Sequence, residues 1–444
     1  MGNKKIQKLQ TIGGSVKKVL LVAPVLSRSG YGEMARFALR AMAGHPQIDL
    51  YLHNIAWGKS GWVWNDDGER KLIDSLLQKT VMYRQNGGTF DASIQTTVPN
   101  EWQKLTKHDV GYTAGIETDK VAPEWLLNGN EKVDKIITIS EHSKQVYLNT
   151  SYDGKNQQTG EPVIGYKLNT PIDVVGFPIT KTKECEELDL ELKHDFNFLC
   201  VAQIGPRKNV DAVINNFIEE FKNEEVGIVF KVHMANDSVM DFHNVKHQFS
   251  KISQVAKEED WACSIKVVHG NLTNAQMNGL YSNPKIKAFV SLTHGEGFGL
   301  PLYEAASHKI PVVATDWSGH LDFLTLSSNI NPKGKYRGGK TRGKISTPKK
   351  MFAAVKYELN TIPQHAVWNG VLQADSKWAF INDSDARKKM RDVYKNHKKW
   401  QGKANKLAKA LHEKDEQHYY DLFIKSTGIN FGDTVESSEE SVIL

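Results

Sequence analysis

The sequence predicts an α/β protein of two doubly wound, Rossmann-like domains facing each other across a cleft, with C-terminal helices returning to the first domain. Three observations carry this reading. The chain has 444 residues, more than one hydrophobic core usually supports. Its composition, 40% hydrophobic and 24% charged, is that of an ordinary globular protein. Short apolar runs alternate with helical patterns in two successive series, the signature of parallel sheets covered by helices.

Residues 1–17 are polar and basic and read as a loose leader. Residues 19–23 form a continuous apolar run ending at Pro24, as a buried parallel strand does. A loop containing Gly30 and Gly32 follows, then a helical pattern through Met34, Phe37, Ala38 and Met42. Residues 133–139 read as another strand, and Ser140 is placed to cap the helix after it. The Gly-, Asn-, Gln- and Thr-rich stretch 150–170 reads as an exposed loop. The first domain, 18–180, ends near Pro178, and the charged run 181–187 reads as a linker.

The second alternation gives a strand over 198–203, a helix over 210–221 and strands over 227–233, 265–268, 288–292 and 311–315. Together these set a second domain at 195–384, with ligands expected where strands end at the cleft. Residues 385–428 turn helical and are expected to pack on the first domain. The tail 429–444 is acidic, with four acids and no base among its last twelve residues, and is expected to be disordered.

Composition also excludes classes. Three cysteines, Cys185, Cys200 and Cys263, have none of the close spacings of zinc or redox motifs and read as buried, reduced thiols. No run approaches the ~20 apolar residues of a membrane helix, and the N-terminus lacks a signal-peptide core. A cytoplasmic location is the expectation. The net charge of +6 is too mild by itself to imply nucleic acid.

Chemistry concentrates in residues 291–305, directly after a predicted strand. Gly295, Gly297 and Gly299 alternate, so backbone can approach a ligand without intervening side chains. Pro301 suits a first helical turn. The amides from Gly297 and Phe298 through Leu300 would then form a helix N-terminus suited to a diphosphate. Glu304, expected in the first helical turn, can accept hydrogen bonds from a ribose diol. Glu296 is placed to accept from hydroxyls of a transferred sugar.

The full run, His294 to Glu304, resembles the signature of retaining glycosyltransferases of family 4, which have the glycosyltransferase-B fold. The resemblance covers most of residues 198–325 well and the first domain loosely. It implies that Arg207 and Lys208, in the loop after the first strand of the second domain, hold the donor diphosphate and stabilise charge on the leaving phosphate. Gln203 departs from the pattern, since many relatives place an Arg there. The resemblance also implies a nucleotide-lining role for Gly270 and Leu272, which a simple turn explains equally well. Trp317 is either part of a donor-side loop or a packing aromatic. In the first domain, Gly30 and Gly32 resemble the family's glycine loop beside the reacting sugar. The run Glu117, Thr118, Asp119, with Pro123 and Trp125 after it, resembles a subgroup motif. Glu117 contacts donor sugar or acceptor, or orients a loop. The functional His of better-known relatives has no counterpart here, His108 lying too far upstream.

Between Lys333 and Lys350 eight bases occur with no acid. This insert is either a solvated loop or a footprint for an anionic acceptor: glycan, lipid or nucleic acid. The resemblance implies transfer of a hexose-type sugar from a nucleoside diphosphate sugar to an acceptor hydroxyl with retention of configuration. It implies no cofactor and no bound metal, the donor being a substrate. A sugar-nucleotide epimerase and a non-catalytic nucleotide-sugar binder are the alternatives. A dinucleotide dehydrogenase fails as an alternative, because no Gly-x-Gly-x-x-Gly opens the first helix with an acid at the proper distance.

Overall fold

The computed structural model describes residues 15–63, 67–156, 158–179, 184–326 and 348–432. In the first half, β1 (Lys17–Ala23), β2 (Ile48–Asn54), β3 (Ala92–Thr96), β4 (His108–Thr113) and β5 (Lys135–Thr138) are separated by α1 (Gly30–Ala43), α2 (Gly68–Gln85), α3 (Pro123–Lys132) and α4 (Glu141–Asn149). An antiparallel hairpin, β6 (Tyr152–Lys155) and β7 (Pro162–Tyr166), precedes β8 (Ile172–Val174). The six-stranded parallel sheet runs β2-β1-β3-β4-β5-β8, so the strand order reverses between β1 and β3. Apolar continuity forces this: β1 reads Lys-Lys-Val-Leu-Leu-Val-Ala, and its central residues are buried on both faces.

The second half repeats the plan with β9 (Asn197–Gln203), α5 (Val210–Phe221), β10 (Gly227–His233), α6 (Val239–Glu258), β11 (Ser264–His269), α7 (Asn274–Ser282), β12 (Ile286–Ser291), α8 (Leu300–Ser307) and β13 (Val312–Thr315). The short α9 (Leu321–Leu324) leads into β14 (Thr325–Leu326), which pairs with β15 (Lys349–Lys350). Then come β16 (Ala353–Val355), the antiparallel pair β17 (Tyr357–Thr361) and β18 (Lys377–Ile381), and helices α10 (Asp383–Lys395), α11 (His397–Leu411) and α12 (Glu416–Thr427). Its parallel sheet runs β11-β10-β9-β12-β13-β16, reversing between β9 and β12. In open α/β sheets that reversal is where ligands bind.

The two sheets share one apolar seam. Phe177, between them in sequence, stacks edge-on against Phe37 of α1 and against Phe298. Phe298 in turn contacts Tyr303 and Phe323. Tyr303 also donates through its hydroxyl to the Phe177 carbonyl at 3.0 Å. Polar contacts add to the seam: Trp125 Nε1 donates to Gly370 O at 2.9 Å, and Lys377 N donates to Asp119 Oδ1 at 2.7 Å.

Four expectations need correction. Within the stretch 150–170, expected to be an exposed loop, Tyr152–Lys155 and Pro162–Tyr166 pair as a mostly exposed antiparallel hairpin. The C-terminal helices divide: α10 buries Ala386, Met390 and Val393, and α11 buries Trp400, in the core of the second sheet. α12 returns to the first domain, where Phe423 packs on Phe37 and Tyr112. Apolar residues decide the point, since each helix goes where its stripe is covered. The tail is not wholly solvated, because Phe431 lies 4.8 Å ring-to-ring from His45; residues 433–444 lie outside the described residues. Finally, Cys185 is exposed, while Cys200 and Cys263 are buried thiols.

Candidate active site

The loop after β9 closes into a tight turn over Pro206–Lys208. Asn209 then takes a left-handed conformation, φ 51°, and its side chain donates to Leu292 O at 3.0 Å. The Arg207 carbonyl accepts from His294 N at 2.9 Å. These bonds tie the β9 loop to the β12 loop across the strand-order reversal, so Arg207 and Lys208 face Glu296.

There four charged side chains interlock. Lys208 Nζ lies 2.6 Å from Glu296 Oε1, and Arg207 Nη1 lies 3.1 Å from Glu296 Oε2. Arg207 Nη2 reaches 3.2 Å from Glu117 Oε1, on the first domain. The Glu296 backbone is held as well: its amide donates to Ser318 Oγ at 2.8 Å and its carbonyl accepts from Gly319 N at 2.9 Å. Burial alone would raise the Glu296 carboxyl, but Lys208 and Arg207 outweigh it and hold it at about 2. Burial pushes Glu117 up, opposed by Arg207. Burial likewise pushes the Lys208 ammonium down.

The glycines of the β12 loop serve a purpose the sequence did not reveal. A Cβ on Gly295 would sit 2.2 Å from Glu117 O, and one on Gly297 2.0 Å from Ala114 O. Their bareness lets the two domains touch here. Tyr31 shapes the opposing loop, since its hydroxyl bonds Thr113 Oγ1 at 2.9 Å and accepts from the Ala114 and Gly115 amides. Gly299, at φ 92°, makes the left-handed entry to α8.

Glu304 falls one turn later than expected, in the second turn of α8. Its Oε2 accepts from Tyr281 at 2.8 Å, and burial raises the carboxyl to about 7. The His294 side chain turns away from the glycines: Nδ1 bonds Ala379 O at 2.7 Å, and the ring stacks on Trp378 at 5.3 Å. Phe298 gives its side chain to the apolar seam, leaving only its backbone for a ligand. Gly30 and Gly32 lie inside the first turn of α1, capped by Ser29, rather than in a loop. A Cβ on Gly32 would strike Ser27 O at 1.9 Å, whereas Gly30 faces open space. Gly270, at φ 95°, admits Asp237, whose Oδ1 would be 2.5 Å from a Cβ there. Leu272 packs against the main core. Gln203 donates to Met234 O at 2.8 Å. Trp317 stacks edge-on against His142 of α4 at 4.9 Å, so it packs across the domain interface.

Sequence reasoning missed several residues of this site. Tyr281 supports Glu304, Ser318 holds Glu296, and Lys231 lies buried on β10. A Lys in an otherwise apolar strand was the available signal for the last. Of the basic insert, only Lys349 and Lys350 lie within the described residues, where Lys350 pairs with Asp316. Among the described residues, no group of His, Cys, Asp or Glu is arranged to hold a metal, and no helix is long and apolar enough to cross a membrane.

Two facing parallel-sheet domains, with a glycine-rich turn and paired cations at the strand-order reversal, define the glycosyltransferase-B fold. Residues 188–329 match the family model described as glycosyl transferases group 1. No curated protein matches the chain. Among solved structures, Anabaena Alr3699/HepE in complex with UDP-glucose is 11% identical, with a TM-score of 0.52 over 93% of this chain and 99% of that one. An E. coli structure described as trehalose-6-phosphate bound with UDP-2-fluoro glucose is 9% identical, TM-score 0.54, with the same coverage of 93% and 99%. The pneumococcal O-GlcNAc transferase GtfA, solved with UDP and GlcNAc, is 11% identical with a TM-score of 0.43, covering 80% of this chain, which spans 60% of its length. At these identities the likeness concerns the fold alone.

Proposed function

We propose that the protein transfers a hexose-type sugar from a nucleoside diphosphate sugar to an acceptor hydroxyl, with retention of anomeric configuration. The observation that carries this reading is the cluster of the half-buried cations Lys208 and Arg207 on the buried Glu296 at the reversal point of the second sheet. In this reading Lys208 and Arg207 offset negative charge on the leaving phosphate, aided by the amides opening α8. Glu296, kept ionised by the same cations, accepts from hydroxyls of the transferred sugar. Glu304 accepts from the ribose. The donor domain is 195–384, and the first domain, 18–180, presents the acceptor. Retention needs no protein nucleophile when leaving phosphate and acceptor share one face of the sugar, so positioning and electrostatics supply the catalysis.

The acceptor reading is an anionic molecule met by the basic insert. The test is turnover: the full chain is incubated with a panel of nucleoside diphosphate sugars and candidate acceptors, and both nucleotide release and product anomer are measured. Acceptor-dependent release with a retained anomer is expected. Isomerised sugar without transfer would make the protein an epimerase, and binding without turnover a nucleotide-sugar binder.

A further inference from the structure

α11 carries five lysines, Lys398, Lys399, Lys403, Lys406 and Lys409, and no acid. At 3.6 residues per turn these five fall within about 140° of one face and run about 16 Å along the helix axis. Trp400, Ala404, Leu407 and Ala408 take the opposite face and are buried. The lysine face is turned to solvent: Lys398, Lys399, Lys406 and Lys409 are exposed and Lys403 is half-buried. Among the described residues, Lys399 is the one of the five within ion-pair distance of a carboxylate, Asp392 Oδ2 at 3.7 Å.

The positive stripe continues onto a neighbouring strand. Lys403 Nζ donates to Lys350 O at 3.3 Å, which sets β15 and its exposed Lys349 against α11. Burial and the like charges of Lys399 and Lys349 push the Lys403 ammonium down, against the pull of Asp392. Ammoniums gathered in this way repel one another, and an anion laid across them relieves the repulsion. Two features narrow the kind of anion. Trp400 lies beneath the stripe, with Lys403 Nζ 4.3 Å and Lys399 Nζ 5.2 Å from its ring, and is 6% exposed. It can neither stack on a base nor enter a bilayer, and α11 exposes no large apolar side chain to anchor in one. Lysines are also point charges, suited to lining up with phosphates rather than to bidentate reading of base edges. A nucleic-acid duplex presents one phosphate charge per ~1.7 Å of axis, so about nine face a stripe of this length.

We propose that the lysine face of α11, with Lys349 beside it, is a docking surface for the phosphate backbone of duplex DNA, held without regard to base sequence. The docking is separate from sugar transfer and is measured without a donor, so either reading can fail while the other stands.

Fluorescence anisotropy of a labelled DNA duplex of about 20 base pairs, titrated with the full chain between about 50 and 200 mM salt, tests it. Five engaged lysines predict a weakening of about 500-fold or more over that range, at about 0.9 released counterions per phosphate contact. Replacing three exposed lysines together, Lys398→Gln, Lys406→Gln and Lys409→Gln, should make that weakening about 40-fold smaller. The charge-keeping set Lys398→Arg, Lys406→Arg and Lys409→Arg should retain the wild-type salt dependence. So should Lys246→Gln, Lys251→Gln and Lys257→Gln, which remove the same charge from α6. An absence of duplex binding at the lowest salt overturns the proposal, as does a salt dependence that the α11 glutamine variant shares with wild type. Equal losses from the α11 and α6 glutamine variants also overturn it, reducing the effect to net charge. Vesicles of equal parts phosphatidylglycerol and phosphatidylcholine form the second arm: lysine-dependent binding to them without binding to the duplex would make the face a membrane-docking surface instead.

Discussion

Arg207 Nη2 stands 3.2 Å from Glu117 Oε1, so a cation of the second domain is paired with a carboxylate of the first. With Lys208 and Glu296 the cluster holds two cations and two carboxylates. A diphosphate entering beside Arg207 and Lys208 meets cations that already have partners.

Glu117 therefore competes with the donor. Glu117→Gln is expected to tighten UDP binding about tenfold, the scale of one charge-assisted hydrogen bond. Calorimetry checks this, and an unchanged or weaker affinity would show that Glu117 does not oppose the nucleotide.

Lys208 and Glu304 are expected to divide their effects. Glu304→Ala should raise the donor Kd about tenfold or more, while Lys208→Ala should lower kcat more than it raises the donor KM. Lys208→Ala also removes a buried partner of Glu296, which costs about 3–5 kcal/mol where no other cation compensates; Arg207 should hold the loss below that range. Steady-state kinetics and thermal melts give both numbers, and wild-type kinetics in both variants would remove these residues from the donor site.

Burial raises Glu304 to about 7. An acid raised in the folded state contributes stability that is complete below its unfolded value and lost as pH rises through about 7. Donor affinity should run the opposite way, strengthening from about pH 6 to about pH 8 as the accepting carboxylate forms. Glu296, held at about 2, contributes stability above its ordinary value of 4.5 that is lost as pH falls toward 2. Melts and UDP titrations across pH, with Glu304→Gln and Glu296→Gln, should lose the respective dependences.

Gly297→Ala would put a methyl 2.0 Å from Ala114 O. Backbone cannot yield there as a flexible side chain would, so the domains are expected to part. Small-angle scattering should show a larger radius of gyration, with turnover falling while the second domain keeps its fold. An unchanged radius and rate would mean that the contact is not needed for closure.

Neutralising Lys333, Lys335, Arg337 and Lys340 should raise the acceptor KM and leave the donor KM nearly unchanged. The effect should shrink with added salt, as exposed charges are screened beyond ~10 Å at 0.1 M. Wild-type acceptor kinetics at low salt would reduce the insert to a solvated loop.

By itself the sequence determined the two sheets and the loops that end their strands. Continuous apolar runs such as residues 198–202 permit little except buried parallel strands, and a helix cap such as Ser140 is a local hydrogen bond. Arg207, Lys208 and Glu296 were legible for the same reason, each lying within a few residues of a strand end. Tertiary structure alone decided their partners. Glu117 and Arg207 are far apart in sequence, and no periodicity encodes a pair formed by domain closure. The role of Gly295 and Gly297 was likewise hidden, because bareness suits a ligand and a second backbone equally well. Local signals fix elements because their interactions are short in sequence; the site's charges are balanced only where two folded surfaces meet.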